Sequence, residues 1–376
     1  MIPFNRQTLY GPELDCIREA YERGRTCGDG EFGRRCEAFI ERRLGCRKAL
    51  LTPSGTAALE MAAVLAGVGP GDEVVVPSYT FVSTANAFVL RGARPVFCDV
   101  RPDTLCMDES LVDALVGPRT RAVVPVHYAG VACGMDSILD VAARRGLVVI
   151  EDAAQAFDAR WRGRALGTIG AIGCLSFHET KNVSMGEGGA ILLNDESLVE
   201  RAEIVREKGT DRSRFFRGQV DKYRWVDVGS SWLPSEISAA VLWVQLERAD
   251  AIRERRLALV AAYREAFADL EADGTVRLPV TPFQADPNGH MMYLLLRTEA
   301  ERDRLIAHLG SRGITAVFHY VPLHESAFCR ERWGAMSLPV TESVSRRLVR
   351  LPLFHGLTDP EQREVAGAVR GFFGRS

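Results

Sequence analysis

The 376-residue sequence predicts an α/β protein with a large domain built on a mixed, mostly parallel sheet and a small C-terminal α/β domain. Three observations predict it. Short β-branched apolar runs alternate with helical patterns over the first half of the chain, the rhythm of a sheet covered by helices on both faces. The runs stop at small, polar or proline residues rather than continuing into amphipathic alternation, as buried parallel strands do. After about residue 235 the rhythm changes to a long helical pattern and then a shorter strand–helix–strand sequence. The length gives about two domains, and we divide them as 1–245 and 246–376.

In chain order, residues 1–30 are rich in glycine and proline, with a helical segment near 13–23, and read as an arm. A charged amphipathic helix follows from Phe32 to Leu44. A strand at 49–52 leads through Pro53-Ser54-Gly55-Thr56 into a helix reaching about Leu65. Helix N-termini offer free N–H groups to phosphate, and Gly55 and Thr56 sit there; a plain helix cap accounts for the same residues. Strands are predicted at 73–76, 95–100, 122–126 and 147–150, with helices to about Leu90 and over 109–115 and 135–145. The strand at 147–150 leads into Glu151-Asp152. Another, 173–177, runs into His178-Glu179-Thr180-Lys181, and a further strand, 190–194, precedes a helix over 197–208. The polar segment 209–224, carrying Arg212, Arg214, Arg217 and Lys222, is long for a structureless connection and reads as functional or interfacial. A helical pattern over 235–270, strands at 291–297 and 315–319, a helix over 300–309 and a final helix over 360–372 complete the chain.

Composition narrows the function. Apolar residues at 47%, charged residues at 26% and a net charge of -2 describe an ordinary globular protein with no electrostatic reason to bind nucleic acid or an anionic membrane. No apolar run is long enough to span a bilayer, and the N-terminus lacks the order of a signal peptide. The nine cysteines are scattered without a C-x-x-C, as free thiols in a reducing compartment are. These features predict a cytoplasmic protein. Dinucleotide, P-loop and G-x-S-x-G signatures are absent. His319 and His324 flank a loop that makes a poor metal frame, so no metal is expected.

Two residues carry the chemistry. Asp152 ends a predicted buried strand and Lys181 follows the next one. A lone Asp there is usually a cap and a lone Lys a solvated charge. Together they supply what pyridoxal 5′-phosphate (PLP) needs: an amine for an imine and an acid beside the pyridine nitrogen. Thr56, Phe81, Asp152, Gln155, Ser176 and Lys181 all fall at predicted strand ends, where ligands collect in such sheets.

The segments Pro53–Leu59, Pro77–Phe81, Glu151–Gln155, Ser176–Asn182 and Gly186–Gly189, with Tyr320–His324 and Leu351-Pro352-Leu353, resemble the DegT/DnrJ/EryC1/StrS sugar aminotransferases along nearly the whole chain. The resemblance implies PLP fold type I, the aspartate-aminotransferase architecture, and a homodimer with its active site at the subunit interface. It implies that Lys181 forms the imine and moves the proton, and that Asp152 pairs with the pyridinium. It places Gln155 near the phenolic oxygen, Phe81 on the ring, and Gly55, Thr56 and Ser176 on the phosphate. Most relatives supply an Asn from the partner subunit in a G-x-N-x-R pattern; here the stretch is Gly229-Ser230-Ser231-Trp232-Leu233. Ser231 therefore stands for that Asn, and its hydroxyl can still bind phosphate oxygen.

Cys27–Gly30, Phe81–Phe88, His127–Cys133 and Arg217–Tyr223 are similar to the branch of the family that aminates dTDP-4-keto-6-deoxyglucose with L-glutamate. The implied product is dTDP-4-amino-4,6-dideoxygalactose, for surface-polysaccharide or related amino-sugar biosynthesis. Arg217, His319 and Tyr320 are candidate substrate contacts. Aminotransfer to another nucleotide-linked keto sugar, of GDP-perosamine or 3-amino type, stays open. The sugar 3-dehydratases of the family replace the lysine with histidine, which Lys181 argues against. A PLP-binding regulator would need a DNA-binding element that the sequence does not supply.

Overall fold

The computed structural model describes residues 1–375. Nine strands precede residue 200: β1 Lys48–Thr52, β2 Glu73–Pro77, β3 Arg94–Cys98, β4 Thr120–Val123, β5 Val148–Asp152, β6 Arg160–Trp161, β7 Arg164–Ala165, β8 Ile172–Ser176 and β9 Gly189–Leu193. Seven of them form one sheet in the order β1-β9-β8-β5-β4-β2-β3. β3, β2, β4, β5 and β8 pair in parallel, whereas β9 runs antiparallel to both β8 and β1. One reversed strand in an otherwise parallel sheet is the mixed sheet that the sequence predicts.

Side-chain alternation along the strands builds two cores. Ala49 and Leu51 of β1, Val75 of β2 and Val123 of β4 face one apolar layer. Leu50, Val74, Val76 and Ala122 face the other. Against the second layer lies the helix Gly55–Leu65, whose Ala58, Leu59, Met61 and Ala62 are buried. Truncating Leu59 there would cost about 2–5 kcal/mol. The first layer is covered by helices that include Glu31–Leu44 and Glu236–Leu246. These two are locked together by the buried Glu236 carboxylate, which accepts from the backbone N–H groups of Gly30, Phe32 and Gly33 at 2.8–3.0 Å. An anion at a helix N-terminus complements the orphan N–H groups and the helix dipole. Only glycine fits at 30, because a Cβ there would meet Glu236 Cδ at 2.2 Å.

A third core gathers Leu259, Tyr263, Leu294, Leu305, Val349 and Val365 from the C-terminal part of the chain. Its strands are β11 Met292–Leu295 and β12 Leu348–Leu351, paired antiparallel, while the short β10 Ala285–Asp286 joins β6. Ile2 of the N-terminal arm inserts into the same core and bridges to Ile314. Among the described residues no helix is long and apolar enough to cross a membrane.

Several expected elements differ. The pattern over 235–270 is three helices, Glu236–Leu246, Ala249–Ala266 and Ala268–Ala272. The 109–115 segment is helical only over Val112–Leu115. Residues 315–319 do not form a strand; Val317 makes only an isolated bridge to Arg350. The Arg-rich segment is not structureless, since Arg212–Phe216 is helical and Arg214 and Arg217 pair with Glu200 and Glu203 of the helix Val199–Arg206. The helices Ala327–Trp333 and Pro339–Arg347 were not expected. The second is fixed by Asp99, which accepts from the N–H groups of Val340 and Thr341 at 2.8–3.0 Å across 241–242 residues of sequence. Such a cap is invisible to local pattern.

Candidate active site

β5 delivers two adjacent carboxylates to opposite faces of the sheet. Glu151 is fully buried and structural: its oxygens accept from the N–H groups of Gly167, Ile169 and Gly170 at 2.6–2.8 Å and meet His127 Nε2 at 2.9 Å. Asp152 instead faces a cavity of about 460 Å³ beyond the strand ends. Thr84 Oγ1 donates to Asp152 Oδ2 at 2.7 Å and the Ala154 N–H to Oδ1 at 3.1 Å. Each oxygen keeps a lone pair for a further donor.

Lys181 opens into the same cavity from the turn after β8. Burial is the main cause that lowers its amine from 10.5 to about 8; Asp152 opposes the shift and Arg350 adds to it. Near pH 7 that means roughly 300-fold more neutral amine than an exposed lysine has. The neighbouring backbone is braced, because Asn182 Nδ2 donates to the Asn288 carbonyl at 3.0 Å and Asn182 Oδ1 meets His290 Nδ1 at 2.9 Å. Burial, with Lys181 and Arg256 nearby, pushes His290 well below the usual histidine range, and burial with Arg350 and Lys181 does the same to His319. Both histidines are neutral here.

At the other end, the helix Gly55–Leu65 points its first turn at the cavity. Its cap is Ser54, whose Oγ accepts from the Ala57 N–H at 3.0 Å, rather than Thr56. Thr56 Oγ1 lies 2.7 Å from Ser83 Oγ and remains on the cavity wall. Ser176 closes this end, and a Cβ at Gly55 would meet Ser176 Cβ at 2.9 Å. A Cβ at Gly189 would meet the Gly55 nitrogen at 2.6 Å. Glycine at both positions keeps this hydroxyl-lined cradle open.

Gln155 is fixed from both sides: Oε1 accepts from the Ala129 N–H at 2.7 Å, and Nε2 donates to Tyr320 OH at 3.1 Å. Tyr128 OH lies 3.0 Å from His319 Nδ1, and Tyr79 OH donates to the His319 carbonyl. Phe81 stands exposed at the mouth, its ring 6.3 Å from that of Tyr320.

Gly55, Thr56, Phe81, Asp152, Gln155, Ser176, Lys181, His319 and Tyr320 thus line one cavity. Arg217 and Ser231 do not: they line a separate cavity of about 750 Å³. Arg217 is held there because its guanidinium pairs with Glu203 at 2.7 Å. Sequence reasoning did not single out Thr84, His290 or Arg350, which also line the first cavity. Thr84 lies inside a segment noted for its resemblance, and Arg350 directly precedes Leu351-Pro352-Leu353. Nothing local marks His290.

A profile of the DegT/DnrJ/EryC1/StrS aminotransferase family matches residues 10–370. The chain belongs to this family. Among solved structures, the aminotransferase TlmJ from Streptoalloteichus hindustanus is 32% identical, with 100% of this chain and 99% of that chain covered and a TM-score of 0.91. DesV from S. venezuelae, solved in complex with a ketimine intermediate, is 34% identical, with 100% and 99% covered and a TM-score of 0.90. PseC from Helicobacter pylori, involved in pseudoaminic acid biosynthesis, shares the fold at 22% identity, with 99% of each chain covered and a TM-score of 0.92. The fold is therefore that of the PLP-dependent aminotransferases, and the chain is a PLP-dependent sugar aminotransferase. The cavity fits that cofactor. It offers a lysine of lowered basicity, a buried carboxylate with spare acceptor capacity, and a helix N-terminus ringed by hydroxyls.

Proposed function

We propose that this aminotransferase moves the amino group of L-glutamate to C4 of dTDP-4-keto-6-deoxyglucose, giving dTDP-4-amino-4,6-dideoxygalactose and 2-oxoglutarate. The observation that carries the aminotransfer is the placement of Lys181 and Asp152 in one cavity whose far end is the Gly55–Thr56–Ser176 cradle. The choice of sugar rests on the resemblance of Cys27–Gly30, Phe81–Phe88, His127–Cys133 and Arg217–Tyr223 to the corresponding branch of the family.

In this reading Ser176, Thr56 and the first turn after Gly55 hold the cofactor phosphate, Asp152 keeps its ring nitrogen protonated, and Phe81 and Gln155 bound the ring. Bound there, PLP supplies a carbonyl carbon for imine exchange and an electron sink for the adjacent C–H bond. Lys181 Nζ removes the proton from Cα of glutamate in the first half-reaction. In the second, Lys181 Nζ delivers a proton to C4 of the sugar, and the face it reaches sets the configuration there. An amine near 8 suits both directions of transfer. His319 and Tyr320 contact the sugar nucleotide.

The working unit is a homodimer in which Ser231 and Arg217 serve the partner's site. Two features support this. Both residues lie outside the Lys181 cavity of their own chain. They also border a run of exposed apolar side chains, Phe216, Tyr223, Trp225, Val226 and Val228, of a kind that marks interaction surfaces.

The test is an incubation with dTDP-4-keto-6-deoxyglucose, L-glutamate and PLP, with the product solved by NMR. An axial amine at C4 is expected. An equatorial amine would keep the substrate and reverse the face, and no amine would reject the substrate while leaving the family assignment intact.

A further inference from the structure

Three histidines line the Lys181 cavity, His178, His290 and His319. Their hydrogen bonds decide which ring nitrogens carry protons. Asn182 Nδ2 donates to the Asn288 carbonyl at 3.0 Å, so Asn182 Oδ1 is the atom that meets His290 Nδ1 at 2.9 Å. An amide oxygen only accepts, so Nδ1 carries the proton. No carboxylate of the described residues pairs with this ring, and burial beside Lys181, Arg256, Arg350 and His319 keeps it neutral. Its Nε2 is therefore a bare lone pair. His178 is the reverse, because its Nδ1 accepts from the Thr180 N–H at 3.3 Å and its Nε2 carries the proton. His319 has no fixed tautomer, since the Tyr128 hydroxyl 3.0 Å from its Nδ1 can donate or accept.

The backbone under His290 sets where its ring stands. Asn288 Nδ2 donates to the carbonyls of Gln155 and Phe157 at 2.8–2.9 Å, and the buried Arg256 donates to those of Gly289 and His290 at 2.6–2.9 Å. Gly289 has φ +65°, and a Cβ there would meet the Arg256 carbonyl carbon at 2.9 Å. The ring is thus tied at its base by Arg256 and at Nδ1 by the residue next to Lys181. Lys181 and His290 together line both the main cavity and a small adjoining cleft.

Among the described residues neither His290 Nε2 nor Lys181 Nζ has a hydrogen-bond partner. The two are complementary, since an ammonium has three donors and no acceptor and a bare imidazole nitrogen is the opposite. Buried polar groups are almost always satisfied. Asp152, the buried carboxylate of the cavity, is held by Thr84 and Ala154 and in the reading above serves the cofactor ring. Building on that reading, in which Lys181 carries the proton, we propose that His290 is a positioning residue whose Nε2 accepts a hydrogen bond from the Lys181 ammonium. The bond holds the amine between removal of the proton from Cα of glutamate and delivery of a proton to the sugar. The proton stays on Nζ throughout, so the ring orients the amine and takes no part in the transfer. A lysine on its flexible four-carbon stem has many rotamers, and a single fixed acceptor selects among them.

The experiment separates the two nitrogens of the ring. In H290N the amide stands near the place of Nδ1, which keeps the bond to Asn182 and removes Nε2. In H290Q the amide reaches the place of Nε2, which keeps an acceptor and gives up Asn182. Asp152 and Arg350, the charges that act on Lys181, are unchanged in both. The apoenzyme is read first, by the pH dependence of Lys181 labelling with an amine reagent and by the nitrogen NMR resonance of His290 Nε2, assigned through its loss in H290Q. Wild type should show an unprotonated Nε2 at neutral pH. Losing an acceptor for the charged form lowers an amine, so the Lys181 midpoint should fall by about one pH unit in H290N and stay closer to wild type in H290Q. In the cofactor-loaded enzyme both half-reactions of H290N should slow roughly tenfold with half-saturation unchanged. Binding of maleate, a dicarboxylate that cannot react, should stay within about twofold of wild type by calorimetry. A protonated Nε2, a wild-type midpoint in H290N, or a larger fall in H290Q than in H290N would overturn the proposal, the last because His290 would then serve only to brace Asn182. If Lys181→Ala kept its activity, the carrier reading would fail, and the midpoint and the resonance, which need no substrate, would still decide the contact. Where H290N does not fold, the resonance and the H290Q midpoint decide it.

Discussion

Thr84 Oγ1 donates to Asp152 Oδ2 at 2.7 Å, and Thr80 Oγ1 stands 2.8 Å behind it. All three residues are buried. Since Thr84 donates to the carboxylate, Thr80 must donate to Thr84, so the chain of hydrogen bonds has one direction and points its negative end at the cavity. The arrangement fixes one oxygen of Asp152 and aims the other.

Thr84→Val keeps the shape and removes the donor. Hydrogen bonds to a charged group contribute about 1.5–3 kcal/mol. We expect the variant to fold, since a β-branched isostere suits the site, and to bind PLP roughly tenfold more weakly. Equilibrium dialysis of the apoenzyme measures this directly. Wild-type affinity in the variant would separate Thr84 from the cofactor site.

The amine of Lys181 should titrate in the apoenzyme near 8 instead of 10.5. Because the folded value lies below the unfolded one, the folded chain binds fewer protons between these two values. Lys181 therefore destabilises the apoenzyme fully below about 8, and this penalty is relieved as pH rises toward 10.5. The rate of Lys181 labelling by an amine reagent, followed by peptide mass spectrometry, gives the midpoint. Asp152→Asn should move it down, since Asp152 raises the amine, and Arg350→Met should move it up, since Arg350 lowers it. Shifts of the opposite sign would mean that these charges do not act on Lys181 as the geometry requires.

What the sequence made legible follows a physical rule. Asp152, Ser176 and Lys181 were found because strand ends can be read from local apolar runs, and parallel strands place their ends on one edge of the sheet. Arg350 and His290 were missed because they reach the cavity from the C-terminal part of the chain, through packing that local pattern does not encode. The helix Pro339–Arg347 was missed for a related reason: part of its N-terminal stabilisation comes from Asp99, far away in sequence. Thr56 was placed in the phosphate turn, while the capping role fell to Ser54 two residues earlier. Ser231 could be located only through the resemblance of Gly229–Leu233 to the family's G-x-N-x-R stretch, and its place in a cavity other than that of Lys181 emerged only from the fold.

Gly55→Ala tests the cradle. The new Cβ would lie 2.9 Å from Ser176 Cβ and 3.3 Å from the Leu175 carbonyl, so β8 or the helix start must give way. Overpacking of this kind costs about 1–3 kcal/mol. We expect a folded protein with lower thermal stability and a loss of affinity for inorganic phosphate and PLP that exceeds the loss for maleate. Equal losses for all three ligands, by calorimetry, would mean that Gly55 shapes the cavity as a whole and not its phosphate end.

The shared site of the proposed homodimer can be tested without knowing the substrate's stereochemistry. Lys181→Ala removes the amine from one chain, and Ser231→Trp fills the position that would reach the partner. Each variant alone should be nearly inactive. Mixed and allowed to exchange subunits, they form heterodimers in which the intact Lys181 of one chain meets the intact Ser231 of the other. Equal mixing makes half of the dimers mixed, each with one whole site of two, so about a quarter of wild-type activity should return. If Ser231 served its own chain, each heterodimer would carry one site lacking the amine and one site blocked, and no activity would return. The separate cavity that holds Ser231 argues for the first outcome: a tryptophan there stands outside the Lys181 cavity of its own chain, so the site it is expected to block is a neighbour's.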